Sequence, residues 1–128
     1  MVDYFHSMES THEIGNELEN AAARYLQARG LQVLGRQLRF RRGEIDLLMA
    51  DREAIVFVEV RYRRHIKLGD GAESVDWKKR EKMKWAAAAL LAQRPEWSDR
   101  PCRFDVVSAQ GPRDSPQWSW YRDAFRLQ

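Results

Sequence analysis

The chain of 128 residues is 44% hydrophobic and 32% charged, with 7 Gly and 4 Pro, which excludes a disordered or collagen-like polymer and fits one domain with its own core. Its single cysteine, Cys102, excludes an internal disulfide framework and a cysteine-based zinc site. Lys and Arg number 22 against 19 Asp and Glu, a formal net charge of +3, so the balance alone names no partner.

Residues 1–10 read as a flexible tail on a single domain spanning residues 1–128. Ser10-Thr11-His12-Glu13 resembles a capping box, and helical spacing then runs through Gly15, Leu18, Glu19, Ala22, Tyr25, Leu26 and Arg29 to a stop at Gly30. Leu31 to Phe40 turns extended, and Arg41-Arg42-Gly43 is a turn. Glu44 to Ala50 and Ala54 to Tyr62 are strands rich in Ile, Val, Leu and Phe. A loop over Arg64 to Glu73 precedes a second helix, with Ser74 as its cap and an end near Gln93, before Pro95. Cys102 to Ala109 and Gln117 to Phe125 are the last two strands, separated by a turn from Gly111 to Pro116. The order α-β-β-β-α-β-β predicts an α/β fold, a mixed central sheet flanked by helices. The longest apolar run, Trp85 to Ala92, is far short of the roughly 20 residues of a membrane span. The first residues lack the basic and apolar regions of a signal peptide. The expectation is a soluble, cytoplasmic protein that does not engage membrane.

Positive charge falls in three runs: Arg36 with Arg39, Arg41 and Arg42; Arg61 with Arg63, Arg64 and Lys67; and Lys78 to Lys84. The rest of the chain is net acidic. Brought together, the runs would form a basic face for a polyanion, with salt-dependent binding; otherwise each is a solvated surface.

A two-residue loop at Arg52-Glu53 would set Asp46 opposite Glu59 and Glu44 opposite Arg61. Alternation places Glu44, Asp46 and Leu48 on one face of their strand, with Ile45, Leu47 and Met49 on the other. Two opposed carboxylates repel, and Glu59 lies in a strand apolar enough to be buried on both faces. Either a hard divalent cation sits between Asp46 and Glu59, or each pairs with Arg61 or a neighbouring arginine; the pattern leaves both open. Glu19 falls within the apolar stripe of the first helix. Lys79 shares the inward stripe of the second with Val75, Met83, Ala86, Ala87 and Leu90. For each, snorkelling is the plainer alternative.

Gly43-Glu44-Ile45-Asp46-Leu47-Leu48 followed by Val56-Phe57-Val58-Glu59-Val60-Arg61-Tyr62-Arg63 resembles the YraN family of endonuclease-like proteins. The resemblance extends over nearly the whole chain, from Ile14-Gly15 and Glu19-Asn20-Ala21-Ala22 to Lys79, Arg103-Phe104-Asp105-Val106-Val107, Trp120 and Ala124-Phe125. It implies a restriction endonuclease-like, Holliday junction resolvase-like fold with an Asp…Glu-x-Lys signature. Carried over by position, Asp46 and Glu59 would be ligands of Mg²⁺ or Mn²⁺, with the Val60 carbonyl and Glu19 as further ones. Arg39, Arg41, Arg42, Arg63, Arg64, Lys78 and Lys82 would bind nucleic acid. The implied activity is metal-dependent hydrolysis of DNA phosphodiesters, and symmetric cutting of two strands would call for a homodimer.

The sequence departs from the family pattern at Leu18 (usually Gly), Gln37 (usually Asn), Leu68 (usually aromatic) and Arg61. Arg61 stands where the signature has Lys; it stays protonated and cannot act as a base, and Lys79 is the ammonium that could replace it. The catalytic set is then Asp46, Glu59, Arg61 and Lys79. The alternative is a catalytically inactive nucleic-acid-binding module. A third reading is a scaffold for a protein partner through Trp97, Trp118 and Trp120, set against their use as core aromatics.

Overall fold

The computed structural model describes residues 10–64 and 76–126, the first five as backbone only. The expected tail therefore lies outside the described residues, except Ser10. In chain order the elements are α1 (Ser10–Gln27), β1 (Gln32–Phe40), β2 (Gly43–Asp51), β3 (Ala54–Arg63), α2 (Trp77–Ala92), a short 3₁₀ turn (Pro95–Trp97), β4 (Cys102–Gln110) and β5 (Gln117–Phe125). They build the expected mixed α/β fold: five strands, ordered in space as in sequence, with a helix on each face. β3 and β4 are parallel, joined through the crossover that contains α2, and all other neighbours are antiparallel. No helix among the described residues is long and apolar enough to cross a membrane.

The expected hairpin register holds from Asp51↔Ala54 to Leu47↔Val58. Arg52-Glu53 has neither Asn nor Gly, yet Arg52 adopts the left-handed region at φ 58°. Arg100 holds this turn from across the fold: its Nε donates to the Glu53 carbonyl at 2.7 Å and its Nη2 to the Arg52 carbonyl at 3.3 Å.

Two cores sit on the two faces. Met83, Ala86, Ala87 and Leu90 of α2 pack on Ile55, Phe57, Phe104 and Val106, as the inward stripe required. Ala22, Ala23 and Leu26 of α1 pack on Leu47, Met49, Val56 and Val58. Strict alternation along β2 fails at one place. Ile45 joins Leu48 on the α2 side rather than Leu47 and Met49 on the α1 side. The strand is thus rotated around Asp46, just where its ladder pairs with β3 end. At the start of α2 the cap is Asp76, whose Oδ1 accepts from Lys79 N at 2.8 Å; Ser74 and Val75 lie outside the described residues.

The β1–β2 turn rests directly on α2. A Cβ on Gly43 would collide with the backbone carbonyl of Lys82, so only glycine allows this approach. Gly43→Ala is expected to cost about 1–3 kcal/mol in urea unfolding, as other overpacked sites do.

Candidate active site

The site forms where β2 and β3 stop pairing. Rotation of β2 at Asp46 turns its carboxylate toward β3, and Oδ2 accepts from Val60 N at 3.0 Å, replacing a strand partner. On β3, Glu59 follows Ile55 and Phe57 on the α2 side and is only 6% exposed. Lys79, in the first turn of α2, points inward as the stripe required and places Nζ 3.6 Å from Glu59 Oε1. That distance gives Coulombic attraction without a hydrogen bond, and Oε1 is buried with no hydrogen-bond partner among the described residues. Burial and then the neighbouring Asp46 carboxylate push the Glu59 carboxyl up to about 9, while the charges of Lys79 and Arg61 pull the other way. Arg61 therefore lies within electrostatic reach of the pair.

At neutral pH the metal-free protein holds a proton on Glu59 that the unfolded chain, with an ordinary carboxyl near 4.5, does not. The unfolded state binds fewer protons, so this group makes stability fall as pH rises from about 4.5 to about 9. Glu59→Gln in EDTA is expected to flatten that decline. By urea unfolding it should gain on the order of 2 kcal/mol over wild type near pH 8 and nothing near pH 4.

Glu19 enters from α1. Burial, with Asp46 and Glu44 nearby, raises its carboxyl above the usual range, against a hydrogen bond from Gln37 and the charge of Arg36. Gln37 Nε2 donates to Glu19 Oε1 at 2.9 Å and also to Asn16 Oδ1. Between the pairs Arg36↔Leu47 and Leu38↔Ile45, Gln37 stands opposite Asp46. Its backbone is left-handed, φ 48°, a conformation in which Asn is enriched among non-glycine residues. This gives a physical reason for the Asn that the family resemblance leads one to expect there. Gln37 and Asn16 are positioning residues that the sequence reading did not assign to the site; the Asn-to-Gln departure was the only signal.

Among the described residues, no three or more His, Cys, Asp and Glu side chains group closely enough to hold one metal ion. Asp46 and Glu59 are thus a pair, and Glu19 is tied to Gln37 beside it. Val60 meets the site through its N–H, which donates to Asp46.

The basic runs are divided between two depressions among the described residues. Arg39 at the end of β1 and Arg41 and Arg42 of the β1–β2 turn meet Lys78, Lys79 and Lys82 of α2 across an open groove of about 800 Å³. Arg63 and Arg64 instead end β3 beside the β4–β5 turn: Gly111 N donates to the Arg63 carbonyl at 2.9 Å, and Arg64 shares a depression with Tyr62 and Arg113. Lys67 lies outside the described residues. Two runs meet across the groove, and Arg61 of the third acts on the same Glu59 that Lys79 approaches.

Of the tryptophans weighed for a partner surface, Trp118 stacks on Tyr25 at 5.4 Å, Trp120 donates to the buried Asp105 at 2.9 Å, and Trp97 packs on the α2-side core. Their packing accounts for them. The exposed ones are Trp77 and Trp85, which sequence reasoning passed over.

A model of the family described as uncharacterised protein family UPF0102 matches residues 18–109, a span that includes Glu19, Asp46, Glu59 and Lys79. The chain belongs to this family. It is 43% identical over 112 residues to a UPF0102 protein of Pseudomonas putida strain GB-1, covering 87% of this chain and 91% of that one. It is 48% identical over 112 residues to one of Xanthomonas euvesicatoria pv. vesicatoria strain 85-10, covering 88% and 90%. A third, of Pseudomonas savastanoi pv. phaseolicola strain 1448A, is 42% identical over 117 residues, covering 91% and 95%. UPF0102 corresponds to the YraN-like proteins that the hairpin motifs resemble.

Proposed function

We propose that this UPF0102 protein is a metal-dependent nuclease that hydrolyses DNA phosphodiesters, with Asp46 and Glu59 as its metal-holding pair. The observation that carries the reading is the buried Glu59 beside Asp46, its Oε1 without a hydrogen-bond partner among the described residues. A buried carboxylate pair that must share a proton is costly, and a divalent cation removes that conflict. The donor set fits Mg²⁺ or Mn²⁺, which take one or two carboxylates and complete their shell with waters and substrate phosphate. When bound, such an ion supplies electrostatic stabilisation to a phosphodiester under attack by water. Lys79 Nζ, 3.6 Å from Glu59 Oε1, would hold a phosphate oxygen or orient that water. Gln37 fixes Glu19 so that its carboxylate adds negative potential beside Asp46. The cations of the groove hold the DNA backbone by charge, reading phosphates and shape more than sequence.

One observation favours a second reading, a nucleic-acid-binding module without turnover: Arg61 stands where the signature has Lys. Calorimetric titration of Mn²⁺ at neutral pH, with and without DNA, separates the two. The nuclease reading expects binding with release of the Glu59 proton, lost in both Asp46→Ala and Glu59→Ala. No metal binding by wild type under either condition overturns it and leaves the module.

A further inference from the structure

The groove between the β1–β2 turn and α2 carries aromatic surface that neither a core nor a phosphate-binding face requires. Lys78, Lys82 and Trp85 recur at i, i+4 and i+7, so they share one face of α2, turned away from the buried Met83, Ala86, Ala87 and Leu90. Trp85 is 52% exposed and Trp77 71%. Arg42 lays its guanidinium over the Trp85 ring at 4.2 Å. Besides these two indoles, the groove is lined by Arg39, Arg41, Arg42 and the α2 lysines against the acids Glu44 and Glu81.

We infer that this groove binds unpaired DNA, stacking exposed bases on Trp85 and Trp77 while the flanking cations hold the phosphates. The inference rests on the nuclease reading for its choice of DNA, and it narrows the substrate to strands with splayed bases. A duplex hides the faces of its bases in its own stack and gains nothing from an exposed indole. Every unpaired base has a face to offer, and base–aromatic stacking beside a basic track is how single strands are held without sequence preference. The charge excess suits a polyanion, and the Arg42 guanidinium on Trp85 adds a planar cation for a base to stack against. Lys79 lines the groove and also sits 3.6 Å from Glu59, so a strand lying there is carried to the carboxylate pair. The Gly43 contact holds the two walls together.

The test is fluorescence anisotropy of the full chain in EDTA, with a labelled oligothymidylate, a duplex and an abasic strand, all of equal length. Wild type is expected to prefer the oligothymidylate to the abasic strand by about tenfold or more. Trp85→Ala should lose about that factor for the oligothymidylate alone, Trp77→Ala part of it, and Trp85→Phe should restore most of it. Both indoles are exposed, and circular dichroism checks that the variants fold. Equal affinity for the base-bearing and abasic strands overturns the inference, as does no binding of either. Competition by polyglutamate equal to that by the oligothymidylate also overturns it and marks the groove as a site for an acidic protein. Since no metal is present, failure of cleavage cannot masquerade as failure of stacking. Trp-dependent binding by a protein that never cleaves would remove the nuclease reading and leave this one standing.

Discussion

Asp46→Asn is expected to lower metal-dependent cleavage of DNA by at least about 10²–10³-fold, the usual cost of removing one group that stabilises charge in a transition state. DNA affinity in low salt is expected to stay at the wild-type level. The substitution is isosteric, and the Asn side-chain carbonyl can still accept from Val60 N, so the turn of β2 toward β3 survives. What disappears is a negative charge beside Glu59, and with it much of the reason for a cation to bind there. Nicking of supercoiled and branched DNA in Mg²⁺ and in Mn²⁺ measures the effect. Cleavage at the wild-type level in this variant would remove Asp46 from the metal-holding pair. Arg61→Lys, which restores the family signature, should raise the rate if the arginine limits turnover.

The nearness of Asp46 to Glu59 was legible from a register that holds as far as Leu47↔Val58, although the two are not ladder partners and Asp46 instead accepts from Val60 N. Lys79 was legible for a similar reason: a charged residue inside an otherwise apolar helical stripe either snorkels or serves something within. The parts that escaped depend on contacts distant in sequence or on exposure. Arg100 clamps a turn 47 residues away, and nothing in Arg52-Glu53 announces it. Ile45 crosses to the α2 side because β2 rotates where its pairing with β3 ends, an event no alternation rule contains. Gln37 reads as one more polar residue between two arginines until its left-handed backbone aims its amide at Glu19. Trp85 opens the longest apolar run of the chain, so the pattern favours burial for it. The stripe of α2 instead runs through Met83, Ala86 and Ala87, and the indole faces the groove.

A second buried carboxylate has the opposite character from Asp46, and its removal is expected to cost the fold. Asp105 is fully buried. Arg103 Nε donates to its Oδ1 at 3.0 Å, Trp120 Nε1 to its Oδ2 at 2.9 Å and Asp123 N to its Oδ1 at 2.9 Å. The same guanidinium reaches Asp51 Oδ2 at 2.9 Å, at the end of β2. The network spans three strands and fills the irregularity between Phe104 and Val106, opposite Asp123 with its positive φ of 54°. The Arg103, Trp120 and Asp123 donors are satisfied by Asp105, whereas Glu59 keeps an oxygen with no donor among the described residues. A satisfied buried acid belongs to structure, and an unsatisfied one at the open end of a sheet invites a ligand. Asp105→Ala strands the Trp120 and Asp123 N–H groups and leaves Arg103 with Asp51 as its remaining acidic partner in this network. The expected loss is about 3–5 kcal/mol by urea unfolding, comparable to breaking other buried pairs and a large part of the about 5–15 kcal/mol that holds a domain together. Asp105→Asn keeps one acceptor oxygen and should lose less. The two acids therefore separate in the same pair of assays. Asp46→Asn should fold normally and fail to cleave, while Asp105→Ala should fail to fold, and a stable Asp105→Ala would show that the Arg103 network is not what joins β2, β4 and β5.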